Sequence, residues 1–111
     1  MNISELDLKP DYQEETITFE QLADLQGEII IEFGTSWCGH CQAAHDPIKA
    51  ALNLHPELPH LKITDGRGKP LGRAFKVKLW PTLIYLRDGK EVARLVRPLQ
   101  TEQVSQFIDN A

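Results

Sequence analysis

The sequence predicts one α/β domain with a central mixed β-sheet flanked by helices, a βαβ unit in its N-terminal half and a ββα unit in its C-terminal half. Three observations carry this prediction. The run Ile29-Ile30-Ile31-Glu32-Phe33 is apolar on both faces, the mark of a strand inside a parallel sheet. A helical stretch and a second apolar run, 61–64, follow it, and a strand-helix-strand crossover of that length is right-handed and parallel. Residues 82–86 and 91–96 flank Asp88-Gly89, a strong hairpin signal, so these strands pair antiparallel. A chain of 111 residues has room for one core, hence a single domain 1–111 with 1–14 as an N-terminal arm or edge segment.

In chain order, residues 11–17 are acidic with a weak strand tendency and form an edge strand or an arm. Thr18 and Gln21 make a capping-box pattern ahead of Phe19, Leu22 and Leu25, and Gly27 ends the helix, which spans 18–26. After Gly34 and Thr35 the chain turns into a helix near Trp37 and Cys38. Ile48, Ala51 and Leu52 continue it at helical spacing, and Pro47 kinks it. Residues 65–69 form a loop; Gly66-Arg67-Gly68-Lys69-Pro70 lacks the length and the Ser or Thr of a phosphate loop and reads as a turn. Pro70 suits the first turn of a short helix presenting Leu71, Ala74 and Phe75, before the chain extends into Trp80-Pro81. Thr101 caps a final helix whose Val104, Phe107 and Ile108 share one face.

Composition excludes several classes. With 41% hydrophobic and 25% charged residues the chain is an ordinary globular one, and no apolar run approaches the ~20 residues that span a bilayer. A net charge of -4 argues against a phosphate-neutralising surface, so neither nucleic acid nor membrane is an expected partner. The first 28 residues carry eight acids and only Lys9 as a base, unlike a secretory leader. The expected location is the cytoplasm, or the periplasm if a leader has been removed.

Chemistry concentrates at Cys38-Gly39-His40-Cys41. Two cysteines at this spacing on a strand-to-helix turn can close a small disulfide ring, with Cys38 at the positive helix end and Cys41 one turn inside. His40, when protonated, adds positive charge beside Cys38 and tunes the redox direction. A zinc site is the competing reading, because Cys38-x2-Cys41-x13-His55-x4-His60 comes close to finger spacing. Pro56 and Pro59 stand against it: they forbid the helix that would present both histidines. No metal or cofactor is expected, and His45, His55 and His60 read as surface or helix-end positions.

Trp37-Cys38-Gly39-His40-Cys41 resembles the thioredoxin superfamily, and its inner dipeptide is that of protein disulfide isomerase domains. The resemblance covers roughly residues 15–110 and implies a thioredoxin fold. Glu32, six residues before Cys38, falls where the family has a buried acid; Lys62, nineteen before Pro81, falls where it pairs a lysine with that acid. Trp80-Pro81-Thr82 matches the segment holding the family's cis-proline, and Asp88-Gly89 its closing hairpin. Buried in a strand, Glu32 would have a raised pKa, moderated by Lys62, and would accept the Cys41 proton, through water or directly. A cis Trp80-Pro81 bond would leave the Trp80 backbone free to pair with an extended substrate, and Trp37, Gly39 and Trp80 would form an apolar docking rim. Competing readings make Glu32 a solvent-facing strand residue, Trp37 and Trp80 core aromatics, and Pro81 trans.

The chain departs from the family in four places: Gly34 leaves a bare surface, Pro47 lies six rather than five residues after Cys41, Arg97 stands near a rim glycine, and Trp80 replaces a smaller residue. The expected function is thiol-disulfide exchange with protein disulfide or dithiol substrates: Cys38 attacks, Cys41 resolves, Glu32 handles the proton. A monomeric reductase recycled by thioredoxin reductase or glutathione is the first reading. A disulfide oxidase or isomerase in an oxidising compartment, or a redox-independent binding module, are the alternatives.

Overall fold

The structure is a computed structural model and describes residues 2–111. A 3₁₀ turn, Ile3–Glu5, precedes α1 (Phe19–Ala23), β1 (Glu28–Gly34), α2 (Gly39–Asn53), β2 (His60–Thr64), α3 (Pro70–Ala74), β3 (Thr82–Arg87), β4 (Lys90–Val96) and α4 (Thr101–Asp109). The four strands form one mixed sheet in the order β2-β1-β3-β4. β1 pairs parallel with β2, with Ile30 opposite His60 and Glu32 opposite Lys62. It pairs antiparallel with β3, which pairs antiparallel with β4. The expected thioredoxin fold is therefore present.

Strand alternation divides the core between two faces. Ile29, Ile31 and Phe33 of β1 pack with Leu22 of α1 and Leu71 of α3, whereas Ile30 packs with Ala44 and Ile48 of α2 and Val104 of α4. Glu32 shares the face of Ile30, beneath α2, and that placement sets up the chemistry.

Two helix boundaries differ from expectation. α1 has the predicted Thr18–Gln21 capping box but stops at Ala23, with Asp24 as its C-cap. The chain must turn there: Gly27 takes φ +92° and is tied to the hairpin by its N–H to Asp88 Oδ1 and by Asp88 N–H to its carbonyl, both 2.8 Å. At α4 the N-cap is Gln100 rather than Thr101, because Gln103 Oε1 accepts from the Leu99 and Gln100 amides at 2.8 and 3.0 Å. Asp88 and Gly89 both take positive φ, as a tight two-residue hairpin turn requires. α2 runs through Pro47.

The N-terminal arm pairs its backbone with the sheet at one residue. Gln13 bridges in parallel to Ile63, donating to the Lys62 carbonyl at 3.1 Å and accepting from the Thr64 amide at 2.8 Å. This covers the open edge of β2 and holds Tyr12 beside Lys62.

Candidate active site

Cys38 is the N-cap of α2 and Cys41 lies in its first turn; both are free thiols. Their surroundings are opposite. Cys38 is partly exposed at the helix end, whereas Cys41 is 3% exposed and its Sγ accepts from the Thr35 amide at 3.5 Å. Desolvation works against the Cys38 thiolate, but hydrogen bonds from the Cys41 amide and thiol and the His40 amide, with the Arg97 charge, outweigh it and lower the thiol pKa. For Cys41, burial and the neighbouring Cys38 prevail over the Thr35 amide and Tyr12, and its pKa is raised. The outer sulfur is therefore the one poised as a thiolate. His40 acts on it through its backbone amide, with an exposed side chain, and the positive charge that favours the thiolate is that of Arg97.

β1 and β2 bring Glu32 and Lys62 side by side, 1% and 5% exposed, so the solvent-facing reading of Glu32 is excluded. Two further side chains hold the carboxylate. Tyr12 donates its hydroxyl to Glu32 Oε2, and His60 Nε2 lies 2.8 Å from Oε1. Burial pushes the Glu32 carboxyl up, but the hydrogen bond and charge of His60, the Lys62 charge and the Tyr12 hydrogen bond prevail, and its pKa is lowered. The expectation of a raised carboxyl is corrected: the apolar strand around Glu32 was legible, the hydrogen bonds reaching it were not.

The rim contains the expected residues with one difference in accessibility. The Trp80-Pro81 bond is cis. Trp37 is 72% exposed and meets Trp80 edge-on at a ring separation of 5.8 Å, while the partly buried Trp80 donates its indole N–H to Asp65 Oδ2 at 2.8 Å. Trp37 is thus no core residue. A Cβ on Gly39 would meet nothing within 4 Å, so this edge of the helix is open. The Trp80 backbone, however, is not wholly free: its carbonyl accepts from Arg97 Nε at 2.8 Å, and the Arg97 amide donates to the Pro81 carbonyl at 2.9 Å. Arg97 takes φ +51°, a left-handed conformation that suits glycine.

The residues of the zinc reading are dispersed over other partners. His55 faces Glu57 and Asp109, and His60 faces Glu32. Among the described residues no three His, Cys, Asp or Glu side chains gather to hold a metal ion, and no helix is long and apolar enough to cross a membrane.

Tyr12, His60 and Asp65 were missed in the sequence. For His60 a signal existed: it lies two residues before Lys62 on β2, so strand alternation puts both on the Glu32 face. Tyr12 had none, because the register of a single-residue bridge cannot be read from an acidic arm. Gly34, which looked like a bare surface, is in fact the place where Tyr12 and Cys41 meet: a Cβ there would lie 2.6 Å from both the Tyr12 hydroxyl and Cys41 Sγ.

A dithiol with one exposed and one buried sulfur, on a helix end over a mixed sheet, defines a thiol-disulfide oxidoreductase. Comparison with known proteins gives the family. A thioredoxin family model matches residues 11–110. Thioredoxin from Chlamydia pneumoniae is 34% identical over 87 residues, covering 75% of this chain and 81% of that protein. The reduced form of thioredoxin 2 from Pseudomonas aeruginosa PAO1 matches with a TM-score of 0.83 and 46% identity, over 93% of this chain and 95% of that one. The chain belongs to the thioredoxin family.

Proposed function

We propose that this chain reduces protein disulfides, with Cys38 as attacking and Cys41 as resolving thiol. The Cys38 thiolate attacks one sulfur of the substrate disulfide; that bond breaks, a mixed disulfide forms, and the first substrate thiolate leaves. Cys41 then attacks Cys38 Sγ, closing the Cys38–Cys41 disulfide and expelling the second thiolate, so two electrons pass to the substrate. Glu32 accepts the Cys41 proton, Lys62 steadies the resulting charge changes, and Trp37, Gly39, Trp80 and Pro81 receive an extended substrate segment. His40 and Arg97 favour the Cys38 thiolate from the backbone and by charge respectively. A reducing cytoplasm, with thioredoxin reductase or glutathione restoring the dithiol, is the setting this reading implies.

The observation that carries the reading is the opposed placement of the two thiols, Cys38 partly exposed at the helix N-cap and Cys41 buried one turn in, which lowers the first pKa and raises the second. The test is to trap the intermediate. Cys41→Ser mixed with a disulfide-containing protein is expected to accumulate a covalent adduct through Cys38, visible on a non-reducing gel and released by dithiothreitol. Cys38→Ser is expected to give none; an adduct formed equally by both variants would contradict the assignment.

A further inference from the structure

Beneath the dithiol, Cys41 of α2, Tyr12 of the arm, Glu32 of β1 and His60 of β2 form one continuous polar path. The Tyr12 hydroxyl donates to Glu32 Oε2 and converges with Cys41 Sγ over Gly34, where a Cβ would lie 2.6 Å from both. Its position is built in several ways. The Gln13 bridge fixes the backbone beside it, Lys62 Nζ sits 4.3 Å from its ring centroid, and residue 34 leaves room only because it is glycine. On the far side of Glu32, His60 Nε2 lies 2.8 Å from Oε1. The His60 side chain is 23% exposed against 2% for Glu32, so it is where the path reaches solvent.

We propose that Tyr12 relays the proton of the resolving cysteine to Glu32, and that His60 positions the carboxylate and opens it to solvent. The proposal deepens the function above and rests on Cys41 as resolver and Glu32 as acceptor. As Cys41 Sγ attacks Cys38 Sγ of the mixed disulfide, its S–H bond breaks and the proton passes to Tyr12 Oη, while the original Tyr12 proton passes to Glu32 Oε2. The Cys38–substrate bond breaks and the substrate thiolate takes its proton from water. Tyr12 begins and ends as a neutral phenol, consistent with burial and the adjacent Glu32, which raise its pKa and disfavour phenolate. Its job is therefore transfer rather than storage. The other titratable groups facing this path are Lys62, with Asp11, His45 and Lys49 along the clefts beside it.

The test measures resolution of the mixed disulfide under single-turnover conditions, from neutral to strongly alkaline pH, with an oxidised peptide disulfide as probe. Tyr12→Phe keeps the ring under Lys62 and removes only the hydroxyl. It is expected to slow resolution on the order of 10- to 100-fold near neutrality, at or below the usual range for losing a proton-transfer group. The loss should vanish at alkaline pH, where Cys41 ionises unaided. Because the relay runs in series, Tyr12→Phe combined with Glu32→Gln should be no slower than the slower single variant. No loss, an equal loss at every pH, or losses that multiply would overturn the relay.

The unmutated protein supplies a measurement independent of folding in the variants. Two protons in flight predict that the resolving rate curves with deuterium content in mixed H2O and D2O, and a straight line would contradict the relay. Cys41→Ser, assayed in parallel for mixed-disulfide formation, reports on the underlying reading. If that adduct fails to form, the assignment of the two cysteines falls; if it forms and Tyr12→Phe behaves as the unmutated protein, only the relay falls.

Discussion

The two cysteines lie within one turn of a single helix, yet the regions around them share almost nothing. Around Cys38 the surface is open, aromatic and cationic: Trp37 is exposed, Gly39 leaves free space, and Arg97 reaches across from the end of β4 to the Trp80 carbonyl. Around Cys41 it is closed and rich in proton-carrying groups, with Tyr12, Glu32, Lys62 and His60 drawn from the arm, β1 and β2. In the proposed mechanism substrate is met on one side and the proton is handled on the other. A helix start can set the two thiols apart electrostatically, but only the sheet beneath supplies a buried acid and its partners.

The sharpest way to break this comparison is to remove the outer sulfur. Cys38→Ser should lose disulfide reduction by on the order of 10⁴-fold or more, since a hydroxyl there cannot form the mixed disulfide. A standard turbidity assay of insulin reduction checks it. Gly34→Ala attacks the inner side by crowding. Its Cβ would stand 2.6 Å from both Cys41 Sγ and the Tyr12 hydroxyl, so about 1–3 kcal/mol of stability should be lost in urea unfolding. Resolution near neutral pH should slow with it, as Tyr12 is pushed from Cys41.

The smallest expected effect belongs to Arg97→Gly, which sharpens the account of the rim. Removing the guanidinium withdraws a charge that favours the Cys38 thiolate, so the midpoint of Cys38 alkylation should move up. Below that midpoint the thiolate fraction falls, hence the variant should alkylate more slowly at neutral pH. It also frees the Trp80 carbonyl, and the KM for an extended peptide disulfide should fall about two- to tenfold, the value of one hydrogen bond. An unchanged midpoint would remove Arg97 from the electrostatics of the outer thiol.

Sequence reasoning reached the outer region more fully than the inner one. The crossover, the hairpin and the dithiol all announce themselves locally, through apolar runs, Asp88-Gly89 and the spacing of Cys38 and Cys41. Glu32 and Lys62 were set together by the family resemblance, and the parallel register makes them neighbours. What could not be read is contact across long chain separation. Tyr12 reaches Glu32 from the arm, twenty residues away, and no pattern encodes that meeting; His60, twenty-eight residues from Glu32, was signalled only by strand alternation on β2. The reversed direction of the Glu32 shift follows from those two missed partners. Arg97 was noticed as a departure, but its grip on the Trp80 carbonyl depends on the turn after β4 taking a left-handed residue.

The most direct test of the division between the two regions is a titration of each thiol in the reduced, unmutated protein, following its ¹³Cβ shift by NMR. Cys38 is predicted to titrate below the ordinary thiol value of 9.0 and Cys41 above it, with the Cys38 thiolate itself delaying the second ionisation. Coincident midpoints, or Cys41 ionising first, would contradict the assignment of attack to the outer sulfur and resolution to the inner one.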